Sequence, residues 1–260
     1  MTPDALSAES ISANLGTSII GGKVFYYPSV TSTNDVANDA ARQGEPEGTA
    51  VIADEQTAGK GRIKRTWATP PGGNIAVSII LRPRLSHLPY LVMLASLAVA
   101  RSIEAVTGLN CQIKWPNDVL IKGKKVCGIL AESDVRGDTV NYAVVGIGIN
   151  VNLNVSQIPE ISATATSLFD ELGREVSRVA LIRRLLVEID ALYLAAPGSV
   201  YEQWRDRLVT LGKTVVVRSG ETALEGIAES VNQDGSLLLR LPDGSSSTVI
   251  AGDVTLRNQL

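Results

Sequence analysis

Between Asp54 and Gly73 the chain runs twenty residues without an apolar period, while both flanks, Thr49–Ala53 and Asn74–Leu81, read as apolar strands. A structureless segment of that length inside a compact domain usually has a task, so the fold must hang a working loop from a rigid sheet. Its core, Gly59-Lys60-Gly61-Arg62-Ile63-Lys64-Arg65, places four cations and two glycines within seven residues. Glycine lets backbone N–H groups converge on an anion, and the side chains add charge. It is not a Walker A loop, because no glycine stands five residues before a Gly-Lys-Ser/Thr, and it lacks the spacing of a Rossmann turn. Taken alone, it would read as a solvated basic loop.

The remaining chain supplies the scaffold. Thr2-Pro3-Asp4 looks like a helix start with Gly16 as its stop. Lys23–Tyr27 alternates as a strand, and Thr31-Ser32-Thr33-Asn34 offers caps for a helix ending near Gly44. Leu88–Val106 has helical spacing. The longer apolar stretch Leu85–Val106 is broken by Ser86, His87, Pro89, Arg101 and Glu104, so it reads as a buried or amphipathic helix and not a membrane span. Short strands follow at Gln112–Trp115, Asp118–Ile121, Lys125–Glu132 and Thr139–Ile149, with a hairpin turn at Lys122-Gly123-Lys124. Helices are expected at Ala165–Leu172, Ser177–Leu194 and Val200–Leu208. From Gly212 onward the texture becomes short alternating strands with turns at Arg218-Ser219-Gly220, Asp234-Gly235 and Asp243-Gly244. The expectation is an α+β domain over residues 1–210 and a small β-barrel over 211–260.

Composition removes several chemistries. The single histidine, His87, excludes histidine-rich zinc sites and argues against a Ser-His-Asp triad, because it is expected as a solvated residue of the turn Arg84–Pro89. Cys111 and Cys127 cannot form a disulfide framework, which points to a reducing cytoplasm. A net charge of −3 gives no global field for nucleic acid. The chemistry must therefore rest on Lys, Arg, carboxylates and backbone groups.

Two further motifs fit such chemistry. Lys114-Trp115-Pro116-Asn117-Asp118 sits at a strand end, where Pro116 fixes the turn and Lys114 can be aimed. Gly146-Ile147-Gly148-Ile149-Asn150 lacks the third glycine of a dinucleotide fingerprint and could equally mark a strand that needs close backbone approach. Together with the loop they suit the joining of a carboxylate to the α-phosphate of ATP. The carboxylate is already ionised at neutral pH, so no general base is required. Cations, N–H donors and magnesium must offset the repulsion between two anions. Lys60, Arg62, Arg65 and Lys114 meet that need.

Ser32-Thr33-Asn34, Gln56–Arg62, Lys114–Asp118, Gly128-Ile129-Leu130-Ala131-Glu132 and Gly146–Asn150 resemble, in order, the signatures of biotin protein ligases. Ala251–Arg257 resembles the close of that family's C-terminal domain, so the likeness runs over residues 24–257. It implies a class II synthetase-like mixed sheet flanked by helices, with an SH3-like barrel behind it. It also implies an enzyme that forms biotinyl-5'-AMP from biotin and ATP with Mg2+ and then biotinylates a lysine of a biotin carboxyl carrier domain of acetyl-CoA carboxylase. Biotin would meet Ser32, Thr33, Asn34, Gln56, Gly59, Lys60, Gly61, Arg62, Lys114, Gly128 and Leu130. ATP would meet Arg62, Arg65, Trp67, Asn74, Asn117 and Asn150, with Lys114 and Arg62 catalytic and the metal carried mainly by the phosphates. Core packing is the competing reading for Trp67 and Trp115.

The chain departs from the family's Gly-Arg-Gly-Arg-x-Gly-Arg loop by Lys60 and Lys64, which bears on retention of the intermediate. Only about 20 residues precede the expected core, too few for a winged helix, so neither nucleic acid nor membrane is expected as a partner. A homodimer is compatible with the resemblance. A lipoate or octanoate protein ligase, a non-catalytic anion-binding module and a nucleic-acid-binding barrel are the alternatives. The barrel is poor in cations and has no aromatic residue to stack bases.

Overall fold

The structure is a computed structural model that describes residues 5–63, 65–219, 222–250 and 252–256. Its first strands, β1 (Val24–Val30) and β2 (Ala50–Gln56), run parallel, joined by helix α2 (Thr33–Arg42). From β2 onward the sheet is antiparallel. β3 (Asn74–Leu81), β7 (Thr139–Asn150), β6 (Lys124–Arg136), β5 (Asp118–Ile121) and β4 (Gln112–Lys114) complete seven strands in the order β1-β2-β3-β7-β6-β5-β4. Parallel pairing sends the loops after β1 and β2 out of the same end of the sheet. That is why Ser32–Asn34 and the loop after Gln56, distant in sequence, converge.

Strand periodicity divides the residues between two faces. One face of the sheet, carrying Ile52, Ile75, Val77, Ile79, Ile147 and Ile149, packs on the large core. This core also takes in α3 (Tyr90–Thr107) and α5 (Arg178–Leu194), with Trp204 of α6 (Pro197–Arg205). By length and composition α3 could cross a membrane, but most of it is buried against these neighbours. It ends where Gly108 adopts φ +75°, closing the last turn onto the Glu104 carbonyl. The other face is covered by α2 at one end, through Ala37, Ala41, Val51 and Ile80. At the other end it carries Gly128, Gly146 and Gly148, with Trp67 of the loop after β2 lying against the first and last of them.

The boundaries differ from expectation where tertiary pairing overrides local pattern. Thr2–Asp4 lies outside the described residues. The first helix, α1 (Ala8–Ser12), is capped by Ser7, whose hydroxyl accepts from Ser10 N–H, and it stops before Gly16. β2 runs on to Gln56 because parallel pairing with Ser29 and Val30 carries the polar Glu55 and Gln56. β6 runs past Glu132 to Arg136 because β7 pairs with the polar residues there. α4 (Leu168–Leu172) starts late because the Ser167 hydroxyl accepts from Asp170 N–H. α6 begins at Pro197, a favoured first-turn residue, and ends at Arg205, leaving Leu208 bridged to Ile113. His87 lies in a short 3-10 turn, half-buried, its ring edge-on to Tyr90 at 6.3 Å.

The C-terminal strands β8 (Thr214–Ser219), β9 (Thr222–Val231), β10 (Leu237–Arg240), β11 (Ser246–Val249) and β12 (Asp253–Leu256) form one antiparallel sheet in the order β11-β10-β9-β8-β12. Trp115 of the Lys114–Asp118 motif pins this sheet to the main one, its indole N–H donating to the Gly235 carbonyl at 2.7 Å. Both cysteines are free and buried, and burial pushes the Cys111 thiol up to about 12.

Candidate active site

The loop-roofed face of the sheet is a trough floored by residues too small to fill it. A Cβ at Gly146 would lie 2.0 Å from Asn34 Oδ1, and one at Gly148 would lie 2.4 Å from the Trp67 indole nitrogen. At Gly128 the added carbon would crowd Lys125 and Trp67 at 3.1 and 3.2 Å. These glycines are therefore required by close approach of side chains and not by a nucleotide fingerprint.

One end of the trough is a closed hydrogen-bond network of neutral polar groups resting on a single carboxylate, Glu132. Gln56 Oε1 accepts from the Thr33 N–H at 2.8 Å and from its hydroxyl at 3.0 Å, while Gln56 Nε2 donates to Thr69 at 3.2 Å. The Ser78 hydroxyl reaches Thr33 Oγ1 at 2.8 Å and Asn34 Oδ1 at 2.6 Å, and Asn34 Nδ2 donates to Glu132 at 2.7 Å. Ser32, Thr33, Asn34 and Ser78 are all buried. Ser32 is the N-cap of α2, yet its hydroxyl makes no capping hydrogen bond.

The other end is cationic. Lys114 closes β4, where the turn to β5 contains a cis Trp115–Pro116 peptide. Burial pulls its ammonium below the ordinary lysine value, with Asp118 pulling it partly back. Arg62 is likewise lowered chiefly by burial. Its guanidinium donates to Asn117 Oδ1 at 2.8 Å and to the Gly252 carbonyl at 3.4 Å. Arg65 pairs with Asp253. Lys125 stands 2.6 Å from Asp118 and 5.5 Å from the centre of the Trp67 ring. Lys114, Lys125, Arg62 and Arg65 thus gather beside two carboxylates, Asp118 and Asp253.

The loop that joins the two ends is a small hairpin. Trp67 N–H donates to the Gly59 carbonyl at 2.8 Å and Gly61 N–H to the Arg65 carbonyl at 2.7 Å, with Lys60 bridged to Thr66. A side chain at Gly59 would meet the Trp67 carbonyl at 2.3 Å. Lys60 turns outward to Asp35 at the start of α2, and that hydrogen bond raises its pKa. Lys64 lies outside the described residues.

The residues anticipated from sequence are brought together, and three asparagines among them are held in framework contacts. Asn74 is fully buried, its amide donating to the Ala68 carbonyl at 3.0 Å and to Asn150 at 3.3 Å, its oxygen accepting from Val151 N–H at 3.2 Å. Asn150 Nδ2 donates to the Thr166 carbonyl at 3.0 Å. Both amides brace the floor, bonding each other and the backbone of Ala68, Val151 and Thr166. Asn117 clamps Arg62 to β6, donating to the Ile129 carbonyl at 2.8 Å.

Sequence reading missed Lys125, Ser78 and Asp253. Ser78 had a signal, a hydroxyl inside an otherwise apolar run. Lys125 stood only as the first residue of an expected strand, and Asp253 lay within the Ala251–Arg257 likeness without a role of its own.

The family model described as the biotin/lipoate A/B protein ligase family matches residues 26–150, and that of the biotin protein ligase C-terminal domain matches residues 210–257. The bifunctional ligase/repressor BirA of Bacillus spizizenii is 35% identical over 98% of this chain and 80% of its own length. A biotin–[acetyl-CoA-carboxylase] ligase of Mycobacterium tuberculosis is 35% identical over 86% of this chain and 85% of its own. Among solved structures, the biotin protein ligase of Aquifex aeolicus in complex with biotin and ATP superposes with a TM-score of 0.72 at 28% identity, covering 91% of this chain and 99% of that one.

Proposed function

The chain belongs to the biotin protein ligases, and we infer that it runs their reaction on the residues gathered along this trough. It is an ATP-dependent ligase that joins biotin to AMP as biotinyl-5'-AMP and transfers biotin to a lysine of a carrier protein. The lipoate-ligase alternative is not favoured. The observation that carries the site reading is the asymmetry of the trough, with neutral donors and acceptors at one end and partly desolvated cations at the other.

A fused ureido–thiophane ring needs paired donors and acceptors to replace its water, and Ser32, Thr33, Asn34 and Gln56 offer them. Gly128 and Leu130 line the pocket of the ring and side chain with their backbone, with Gly59, Lys60 and Gly61 folding over them. The biotin carboxylate then reaches Lys114, Lys125 and Arg62. One of its oxygens attacks the α-phosphorus of ATP, and pyrophosphate leaves with the electron pair of the broken P–O bond. Fixed cations offset the charge of two approaching anions without reorganising, which is where such a site gains its rate. Arg65 faces the phosphates and Trp67 the adenine. Magnesium enters with ATP, held by its phosphates, and no protein ligand for it is assigned.

In the second step the acceptor lysine, as the free amine, attacks the acyl carbon and AMP departs. The acceptor is a biotin carboxyl carrier domain of acetyl-CoA carboxylase. The division of the chain at residues 210 and 211, a reducing cytoplasmic location, and at most a second copy as partner, without nucleic acid or membrane, complete the reading. Purified protein with biotin, Mg-ATP and such a carrier domain should add one biotin to the carrier and release AMP, by mass spectrometry. No mass gain on the carrier from folded protein would overturn it.

A further inference from the structure

The tip of the ligand loop rests on the C-terminal sheet. Arg62 donates to the Gly252 carbonyl, and Arg65 pairs with Asp253 at the start of β12. Both acceptors are fixed from behind. Asp253 is in register with Arg218 of β8, and a side chain at Gly252 would strike Val217 at 2.7 Å. The sheet is itself held by Trp115 on Gly235. Between the two arginines, Ile63 sits at φ +52°, a conformation that costs a β-branched residue free energy and needs outside support. Asp253 is thus a carboxylate set where an incoming anion would find the loop's arginines.

We propose that Asp253 is a positioning residue for the nucleotide step: a resident counter-anion that holds Arg65, and with Gly252 the hairpin tip, until the triphosphate of ATP takes the arginine over. The inference rests on the reading that Arg65 faces the phosphates. It assigns the C-terminal sheet a role in presenting the loop, and it makes Asp253 a competitor of the nucleotide. Arg65 is largely exposed, so the tie is an exposed ion pair. Such pairs are worth up to about 1 kcal/mol, which converts to a change of roughly two- to fivefold in apparent affinity.

The test is the Michaelis constant for ATP, measured by biotin-dependent pyrophosphate exchange in Asp253→Asn, Arg65→Ala, the double variant and Asp253→Glu. Asp253→Asn should lower that constant roughly two- to fivefold, and Arg65→Ala should raise it. The Asp253→Asn effect should vanish in the Arg65→Ala background, as for two residues acting through one contact. Asp253→Glu should stay near wild type, whereas a merely structural role would raise the constant in Asp253→Asn. If Arg65→Ala raises the constant but Asp253→Asn leaves it unchanged, raises it, or lowers it equally in both backgrounds, the inference fails while the phosphate reading of Arg65 stands. If Arg65→Ala has no effect, the phosphate reading itself is lost, and the inference with it.

Discussion

The two ends of the trough solve opposite problems. At the neutral end Thr33, Asn34, Gln56 and Ser78 bind one another and rest on the Glu132 carboxylate, so their geometry is set before any ligand arrives. At the cationic end Lys114, Lys125, Arg62 and Arg65 face two carboxylates among the described residues, Asp118 and Asp253. Positive charge is left in excess, and the buried Trp67 indole N–H has no hydrogen-bond partner. Partly burying unbalanced charge costs stability, and a chain keeps such an arrangement where anions come and go. The neutral end is built for recognition and the cationic end for chemistry, so variants at the two should fail differently.

Lys114→Ala tests that division most severely. Removing a fixed cation from the point where charge develops should cost about 3 kcal/mol of transition-state stabilisation, a loss of ~100-fold or more in adenylation. Folding should hardly change, since the variant relieves the cost of a half-buried charge. Pyrophosphate exchange at the wild-type rate in folded Lys114→Ala would end the assignment. Lys125→Ala should show a loss of similar kind, because Lys125 lies at the same end.

Arg62→Ala should damage retention more than formation. Arg62 ties the loop to Asn117 and Gly252, and a loop without that tie closes poorly over a hydrolysable anhydride. The expected outcome is release of biotinyl-adenylate and biotin on bystander lysines, read by blotting against an unrelated protein. If Arg62→Ala labels bystanders no more than wild type does, the loop is not the lid.

Ser78→Ala addresses the neutral end. It strips a buried hydrogen bond from Asn34 Oδ1, and an unsatisfied buried acceptor costs about 1–3 kcal/mol. The Michaelis constant for biotin should rise roughly tenfold while that for ATP stays put. A rise in the ATP constant instead would mean that the two ends are not separate.

The sequence disclosed the chemistry better than the circuitry. The cation-rich loop, the glycines and the Lys114–Asp118 motif were legible because each is a local pattern with a physical use. Strand β3 (Asn74–Leu81) and strand β5 (Asp118–Ile121) were legible to the residue, being short and bounded by clear turns. What stayed hidden depends on register. Lys125 enters the site because antiparallel pairing sets it opposite Leu120, two positions along β5 from Asp118, with a register shift between them. Asn74 reads as a polar residue near a nucleotide loop, and only its pairing opposite Asn150 reveals that it also braces the framework. Asp253 meets Arg65 across 188 positions of chain (253 − 65) through a separate sheet, and no window of sequence contains that contact.

The smallest expected effect, and the sharpest on the difference between the ends, is one of pH. Lys114 must be protonated to hold a carboxylate, and burial has lowered its pKa from the ordinary 10.5. A lowered lysine pKa means that the charged form is lost sooner as pH rises, so kcat/KM, which reports the free enzyme, should fall on the alkaline side before a solvated lysine would titrate. Bound anions favour the ammonium and push its pKa back up. The alkaline limb of kcat should therefore lie at higher pH than the limb of kcat/KM. Lys114→Arg, whose guanidinium stays charged throughout, should abolish the limb even if altered geometry lowers the rate. Ser78→Ala, which touches only the neutral end, should leave the limb where it is. Pyrophosphate exchange measured across the alkaline range in the three proteins separates these outcomes. Coincident limbs of kcat and kcat/KM in wild type, or a limb that persists in Lys114→Arg, would remove Lys114 as the titrating group.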